Sequence, residues 1–190
     1  MDFASDLLGN PIMHRSAAFA RPGVRRLLIR KWGPGRRAFV IGCNPSDADG
    51  TKDDPTSSWW NAWFKLYGFG RYDAANLYPF CTSSPSECRK RVDYALNGVA
   101  WDDRDDLFEN LEMIVKLAKR ADQVFVCWGA IAWDSDWIEH VVESIQTGED
   151  PYPDLWCWGK TQHGAPMHPM ARGRHRIAKD QAPILYRAAA

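Results

Sequence analysis

Residues 38–49 read AFVIGCNPSDAD, and most of the architecture can be worked out from this short segment. Its first five residues are an apolar run that ends in glycine, which is typical of a buried strand. A polar loop follows from Cys43 to Thr56, and its last residues have helix-capping chemistry. Residues 58–67 then place tryptophans and a leucine at helical spacing. The segment therefore predicts a strand, a polar turn and a helix in succession.

The same alternation continues in both directions from this segment. Short apolar runs predict strands, and longer amphipathic runs predict helices. The further strands are expected at residues 27–31, 72–78, 123–128 and 154–158, and the further helices at residues 104–120 and 131–146. Residues 32–37 (WGPGRR) predict a hairpin turn between the first two strands, and residues 82–91 predict a polar loop. This order favours an α/β fold, a three-layer sandwich with a central, mostly parallel sheet.

Length and charge limit the possible classes of protein. The 190 residues fit one domain, and 24 basic against 24 acidic residues exclude a histone-like polycation. The neutral sum hides a net charge of +6 over residues 1–40, −10 over residues 41–167 and +4 over residues 168–190. We predict a basic N-terminal arm over residues 1–24 and a single domain over residues 25–190. The two basic ends form a local basic patch if they meet on one face, and otherwise they are solvated surface segments.

Cysteine usage and hydropathy place the chain in the cytoplasm. The five cysteines are odd in number, the N-terminus lacks the features of a secretory signal, and no apolar run is long enough to span a bilayer. We therefore expect reduced thiols, no membrane partner and a monomer. No C-x-x-C pair is present, so neither a metal nor another cofactor is expected.

Each predicted strand delivers a different polar turn to what should be the same edge of the sheet. Ligands of such sheets bind at the carboxyl ends of the strands. The turns read GCNPSDAD at residues 42–49, NLYPF at residues 76–80, WGAIA at residues 128–132 and HPMARG at residues 168–173.

These four motifs, in this order, resemble the uracil-DNA glycosylase superfamily. The Asn-Pro form of the first motif, followed by the aromatic pair Trp59-Trp60 and by Gly68-Phe69, is most similar to the mismatch-specific thymine/uracil branch. At finer scale, the NPSDAD string, the internal NL, the WG and the terminal HP resemble the family of the domain of unknown function 1643. The resemblance covers roughly residues 25–175 and implies a uracil-DNA glycosylase-like fold.

The resemblance also implies roles for individual residues. The catalytic candidates are Asn44, which would position the attacking water, Asp47 or Asp49 as an assisting base, and His168, which would stabilise the leaving base. The base-binding candidates are Gly42, Cys43, Pro45, Ser46, Trp59, Trp60 and Asn76. The DNA-binding candidates are Pro169, Met170, Arg172 and Arg174, with Met170 as a wedge between base steps and the arginines on phosphates.

Several of these residues have a plainer alternative interpretation. Asn44 can make a simple Asx-Pro turn, and Asn76 can be a buried amide satisfied by the backbone. Asp47, Asp49, Asp53 and Asp54 can together bind a divalent cation, or the last two can merely cap the following helix. Trp59 and Trp60 can divide between core and surface.

The predicted function is hydrolysis of the N-glycosidic bond of a modified or mismatched pyrimidine in DNA. The substrate would be duplex DNA with a flipped nucleotide. One alternative keeps the fold but moves the substrate to free nucleotides, as a hydrolase or a transferase, because the acidic residues 47–54 would repel DNA. Another is a catalytically inactive reader of modified DNA bases in phage or defence systems, because a strong general base is lacking.

Overall fold

The computed structural model describes residues 12–189, and its strands and helices alternate along most of the chain. Seven strands are present: β1 (His14–Arg21), β2 (Val24–Lys31), β3 (Arg36–Gly42), β4 (Phe69–Asn76), β5 (Gln123–Val126), β6 (Leu155–Cys157) and β7 (Ile184–Arg187). Four α-helices accompany them: α1 (Pro55–Leu66), α2 (Pro85–Leu96), α3 (Trp101–Ala118) and α4 (Ser135–Ile145). The predicted α/β class is confirmed.

All seven strands belong to one mixed sheet, in the order β1-β2-β4-β3-β5-β6-β7. The pairs β4–β3, β3–β5 and β5–β6 are parallel, whereas β1–β2, β2–β4 and β6–β7 are antiparallel. The prediction of a mostly parallel sheet is therefore wrong for the sheet as a whole. Only the four strands β4, β3, β5 and β6 are parallel to one another, and antiparallel strands flank them at both edges of the sheet.

The predicted hairpin between β2 and β3 is also wrong. β4 lies between these two strands and pairs with both, so the turn at residues 32–35 crosses over it instead of joining neighbours. The backbone N–H groups of Trp32 and Gly33 donate to the Gly70 carbonyl, which anchors the turn on β4. Hydrophobic alternation and turn residues identify strands, but they do not show which strands lie next to each other in the sheet.

Two hydrophobic cores cover the two faces of the sheet. On one face, α1 contributes Trp60, Trp63 and Phe64 to an aromatic core that also contains Phe125 and Trp158. On the other face, α3 and α4 contribute aliphatic side chains that pack against alternate residues of β3, such as Phe39 and Ile41. Helices thus cover both faces, and the chain forms three layers.

Two parts of the chain differ from the sequence-based expectation. The described part of the predicted N-terminal arm contains β1, an edge strand of the sheet, and residues 1–11 lie outside the described residues. Residues 82–91, predicted as a polar loop, contain the start of α2. Ser84 caps this helix and Pro85 begins it, and Cys88, Val92 and Ala95 are its only buried residues. The apolar stripe is so narrow that the segment looks like a loop.

No helix within residues 12–189 is long and apolar enough to cross a membrane. The five cysteines are free thiols, and four of them are buried.

Candidate functional site

A polar cleft of about 260 Å³ lies at the carboxyl ends of the central parallel strands. The turns after β3 and β4, the loops after β5 and β6, and the first turns of α1 and α2 all contribute to it. Its lining residues are Arg25, Leu28, Gly42, Cys43, Asn44, Ser46, Asp54, Thr56, Trp60, Asn76, Thr82, Ser83, Pro85, Ile131 and His168. The cleft therefore brings together Asn44, Asn76 and His168, which are far apart in the sequence.

Asn44 is fixed in the cleft by its amide nitrogen. Nδ2 donates to the carbonyl of Thr82 at 2.7 Å and to that of Pro45 at 3.3 Å, so it ties the β3 turn to the segment before α2. Its Oδ1 makes no hydrogen bond to another described residue. The side chain thus combines a structural role on the nitrogen with a free acceptor that can hold a water molecule.

Asn76 ends β4 and is 95 % buried, yet its side-chain amide makes no hydrogen bond to another described residue. Its backbone carbonyl accepts from Asn110 Nδ2 at 2.9 Å, which fixes the backbone under the side chain. Gly42 makes room for the amide, because a Cβ there would lie 2.7 Å from Asn76 Oδ1. Because Asn76 lines the cleft, the donors and the acceptor of its amide are available to a ligand or to water there.

His168 reaches the cleft from the loop after β6. Its Nδ1 accepts from the backbone N–H of Met170 at 3.1 Å, so in the neutral ring the proton is on Nε2. Burial lowers the pKa of His168, and the charge of Asp54 opposes this shift only in part. Gly129 has a positive φ of 71°, and a Cβ there would lie 3.2 Å from His168 Cβ. The imidazole is therefore a neutral hydrogen-bond donor.

The acidic residue in the cleft is Asp54, and neither Asp47 nor Asp49 lines it. Asp47 is exposed, and Asp49 accepts from the backbone N–H groups of Thr51 and Lys52, which lower its pKa to about 2. Asp54 caps α1 by accepting from the Ser57 N–H at 2.7 Å, and its other oxygen accepts from the Ser46 hydroxyl. Burial raises the pKa of Asp54, but these hydrogen bonds outweigh burial and leave it below its usual value.

Trp59 and Trp60, the two predicted stacking residues, lie in different places. Trp60 lines the cleft, is 5 % exposed and has an indole N–H without a hydrogen-bond partner. Trp59 lies outside the cleft, stacked on Trp63 and edge-on to Trp158. Of the other base-binding candidates, Gly42, Cys43 and Ser46 line the cleft, whereas Pro45 is buried and does not line it. Burial raises the pKa of the Cys43 thiol to about 12, so this cysteine is not a nucleophile at neutral pH.

Arg25 is a lining residue that the sequence did not single out. It lies at the start of β2 and is 5 % exposed. Nη1 donates to the Ala48 carbonyl, and Nε is buried without a partner. Burial lowers the pKa of Arg25. One basic residue near the start of a strand looks like a surface residue, so no local signal could have identified it.

The four DNA-binding candidates lie on the loop that follows His168, outside the cleft. Pro169 is buried, and Met170 is 37 % exposed. Arg172 and Arg174 are exposed, and Arg174 Nε donates to His175 Nε2 at 3.2 Å. The loop therefore exposes one apolar side chain, Met170, and two cationic ones, Arg172 and Arg174, shortly after His168.

A wider and more open groove of about 710 Å³ lies between α3 and residues 144–151. Lys119 bridges it by donating to the carbonyls of Thr147 and Glu149. The groove lacks buried polar side chains without partners, so we place the candidate site in the smaller cleft. No group of three or more His, Cys, Asp or Glu side chains among residues 12–189 is arranged to hold a metal ion.

The fold and the cleft define an α/β protein with a cleft, lined largely by polar residues, at the carboxyl ends of its central strands. The chain belongs to the family described as "Protein of unknown function (DUF1643)", whose model matches residues 25–170. The matched region runs from Arg25 to Met170 and contains every lining residue of the cleft. No curated protein and no solved structure matches the chain at a significant level.

Proposed function

We propose that this chain hydrolyses the N-glycosidic bond of a modified or mismatched pyrimidine nucleotide in DNA, and that its fold is uracil-DNA glycosylase-like. The observation that carries the proposal is the shared cleft of Asn44, Asn76 and His168. Asn44 follows β3, Asn76 ends β4 and His168 lies in the long loop after β6, and together they offer an acceptor, an amide and a neutral donor.

Hydrolysis of an N-glycosidic bond requires a water molecule on one side of the sugar and stabilisation of the departing base on the other. In the proposed mechanism, the unpartnered Oδ1 of Asn44 holds the water. The amide of Asn76 reads the edge of the pyrimidine, since it offers both donors and an acceptor. His168 Nε2–H donates to the oxygen of the base on which negative charge develops, and the Trp60 ring lies along the base.

Asp54 replaces Asp47 and Asp49 in this mechanism. Its lowered pKa keeps the carboxylate ionised at neutral pH, so it is a weak base. Its negative charge would instead stabilise the positive charge that develops on the sugar. Asp54 is a weak base, and His168 has no free ring nitrogen, since Nδ1 accepts from the Met170 N–H and Nε2 carries the proton. This favours, as a second candidate, a reader that binds a modified base without cleaving it.

The first experiment measures release of free base from DNA that carries modified pyrimidines, by chromatography of the products. Asn44→Ala and His168→Ala should each reduce the rate by about 100-fold. Asp47→Asn is the matched control, because Asp47 is exposed and lies outside the cleft. Rates that are unchanged in both cleft variants would refute the site, and binding without release would favour the reader.

A second measurement tests whether DNA is bound at all. Filter binding at two salt concentrations should show an affinity that falls with salt, because contacts between arginine and phosphate release counterions. Replacement of Arg172 and Arg174 by methionine should reduce this salt dependence. A flat response in the unmodified protein would exclude the DNA-based proposals.

A further inference from the structure

Arg25 differs from the other arginines that are packed into the fold. Arg30 is fully buried, and its Nε donates to Asp53 at 2.6 Å while Nη2 donates to the carbonyls of Asp49 and Lys52. Arg26 and Arg37 each form an ion pair with a carboxylate. Arg25 is 95 % buried, but no carboxylate of residues 12–189 lies within ion-pair distance of it. Its charge is therefore largely desolvated, and Asp54, which lines the same cleft, attracts it through space but forms no ion pair with it.

The hydrogen bonds of Arg25 leave most of its donors unused. A guanidinium has five N–H groups in a planar fork. One donates to the Ala48 carbonyl, Nε has no partner, and no further hydrogen bond joins the guanidinium to a described residue. A buried charge with so few partners is costly. Because Arg25 lines the cleft, a ligand there can supply the missing anion.

Other groups around the cleft also favour an anion. Thr56 lies in the first turn of α1, and Ser83 and Pro85 lie at the start of α2, so both helices direct their N-terminal ends toward the cleft. The N-terminus of a helix attracts negative charge. The hydroxyls of Thr56 and Ser83 make no hydrogen bond to another described residue. Each helix has one N–H capped by a side chain, Ser57 N–H by Asp54 in α1 and Glu87 N–H by Ser84 in α2, so the two N-termini only add to the attraction that Arg25 exerts.

We propose that the cleft holds a phosphate group against Arg25, so that its ligand is a nucleotide and not a nucleoside or a free base. This inference rests on the proposed function for the pyrimidine, and it adds the charged part of the substrate. A phosphate presents two oxygens to the planar fork of an arginine, which is a geometry that lysine lacks. The phosphate comes either from a free mononucleotide or from the backbone of a flipped nucleotide.

Isothermal titration of the full chain tests the phosphate site without any requirement for catalysis. The probes are deoxyuridine monophosphate, deoxyuridine and inorganic phosphate. The nucleotide should bind at least about tenfold more tightly than the nucleoside, as expected for one charge-assisted contact. Arg25→Met should abolish this difference and leave nucleoside binding unchanged. Arg120→Met, which removes an exposed charge outside the cleft, is the matched control.

A second variant covers the case in which Arg25→Met does not fold. Arg25→Lys keeps the charge but loses the fork, so it should weaken nucleotide binding by about tenfold. Equal affinity of the unmodified protein for nucleotide and nucleoside would overturn the proposal, and so would an Arg25→Lys variant with unchanged preference. A protein that binds inorganic phosphate but not deoxyuridine monophosphate would overturn the assignment of the ligand as a nucleotide.

Two separate measurements distinguish the source of the phosphate from the validity of the proposed hydrolysis. A single-stranded oligonucleotide that contains deoxyuridine should bind more tightly than the mononucleotide if the phosphate belongs to DNA, and more weakly if it belongs to a free nucleotide. Nucleotide binding that depends on Arg25 but gives no base release would support the phosphate site and contradict hydrolysis. Base release that is insensitive to Arg25→Met would support hydrolysis and contradict the phosphate site.

Discussion

Arg25 and Arg26 are neighbours in β2, but they lie in two regions that treat buried charge differently. Arg26 points toward α3 and pairs with Asp106 at 2.8 Å and Glu109 at 2.5 Å. Arg25 points into the cleft and has no carboxylate partner among residues 12–189. We call the first region, with Arg21, Arg26, Arg91, Asp103, Asp106 and Glu109, the α3 ion-pair network.

The comparison distinguishes polar side chains that stabilise the fold from polar side chains that are available to a ligand. In the α3 ion-pair network, acidic side chains of α3 neutralise Arg21 and Arg26 of the N-terminal strands. In the cleft, Arg25 Nε is buried without a partner, and the side-chain amide of Asn76 makes no hydrogen bond to another described residue. Native proteins leave few buried polar groups unsatisfied, and each exception calls for an explanation such as ligand binding.

The largest expected effect is on stability and lies in the network. Asp106→Ala removes a carboxylate that is 8 % exposed and leaves Arg21 and Arg26 without it, so the free energy of unfolding should fall by about 3 kcal/mol. Urea denaturation measures this change. Glu109→Gln, at a side chain that is 62 % exposed, is the control and should cost about 0.5 kcal/mol. Equal effects of the two variants would contradict the buried network.

Two asparagines provide the next comparison. Asn76→Ala should reduce base release or nucleotide binding by about 100-fold and change the free energy of unfolding by less than about 1 kcal/mol, because its amide has no partner in the described chain. Asn110→Ala should destabilise the fold by about 1–2 kcal/mol, because Asn110 Nδ2 donates to the Asn76 carbonyl. Chemical denaturation and titration calorimetry measure the pair. A large stability loss in Asn76→Ala would assign that residue to the fold.

Gly42→Ala tests how tightly the cleft is built. The added Cβ would lie 2.7 Å from Asn76 Oδ1, so it should displace the amide and weaken nucleotide binding by about tenfold, with a stability cost of about 1–3 kcal/mol. Gly33→Ala is the control, since a Cβ there meets no atom within 4 Å. Unchanged binding in Gly42→Ala would mean that the position of Asn76 is not important.

The smallest expected effect is the pH dependence of His168. Because burial lowers the pKa of His168 in the folded state, its contribution to stability is complete above the unfolded value near 6.5 and is lost as the pH falls through the folded pKa. The lowered carboxylate pKa values, such as that of Asp54, act at more acidic pH. Unfolding at pH 7.5 and pH 5 should therefore differ less in His168→Gln than in the unmodified protein. A nitrogen NMR titration that shows a charged ring at pH 7 would contradict this assignment.

Part of the site could be predicted because strand ends are visible in the sequence. The apolar run before Gly42 and the run before Trp128 identify β3 and β5, and their polar turns lead to Asn44 and to the glycine that accommodates His168. The general-base candidates could not be ranked in this way. Asp47, Asp49, Asp53 and Asp54 are nearly equivalent in sequence, and only the fold directs Asp49 to its own loop, Asp53 to Arg30 and Asp54 to the cleft.

Local sequence patterns predict the α/β class, the helices α1, α3 and α4 and the strand-end turns, because hydrophobic periodicity and capping depend on residues a few positions apart. The order of the strands, with β4 inserted between β2 and β3, depends on long-range packing that no local pattern encodes. The same packing also decides which arginines are neutralised. Arg25 and Arg26 have nearly the same local sequence, and their difference arises from what packs against opposite faces of one strand. Pairing of charges over 80 residues of chain, as between Arg26 and Asp106, has no local signal.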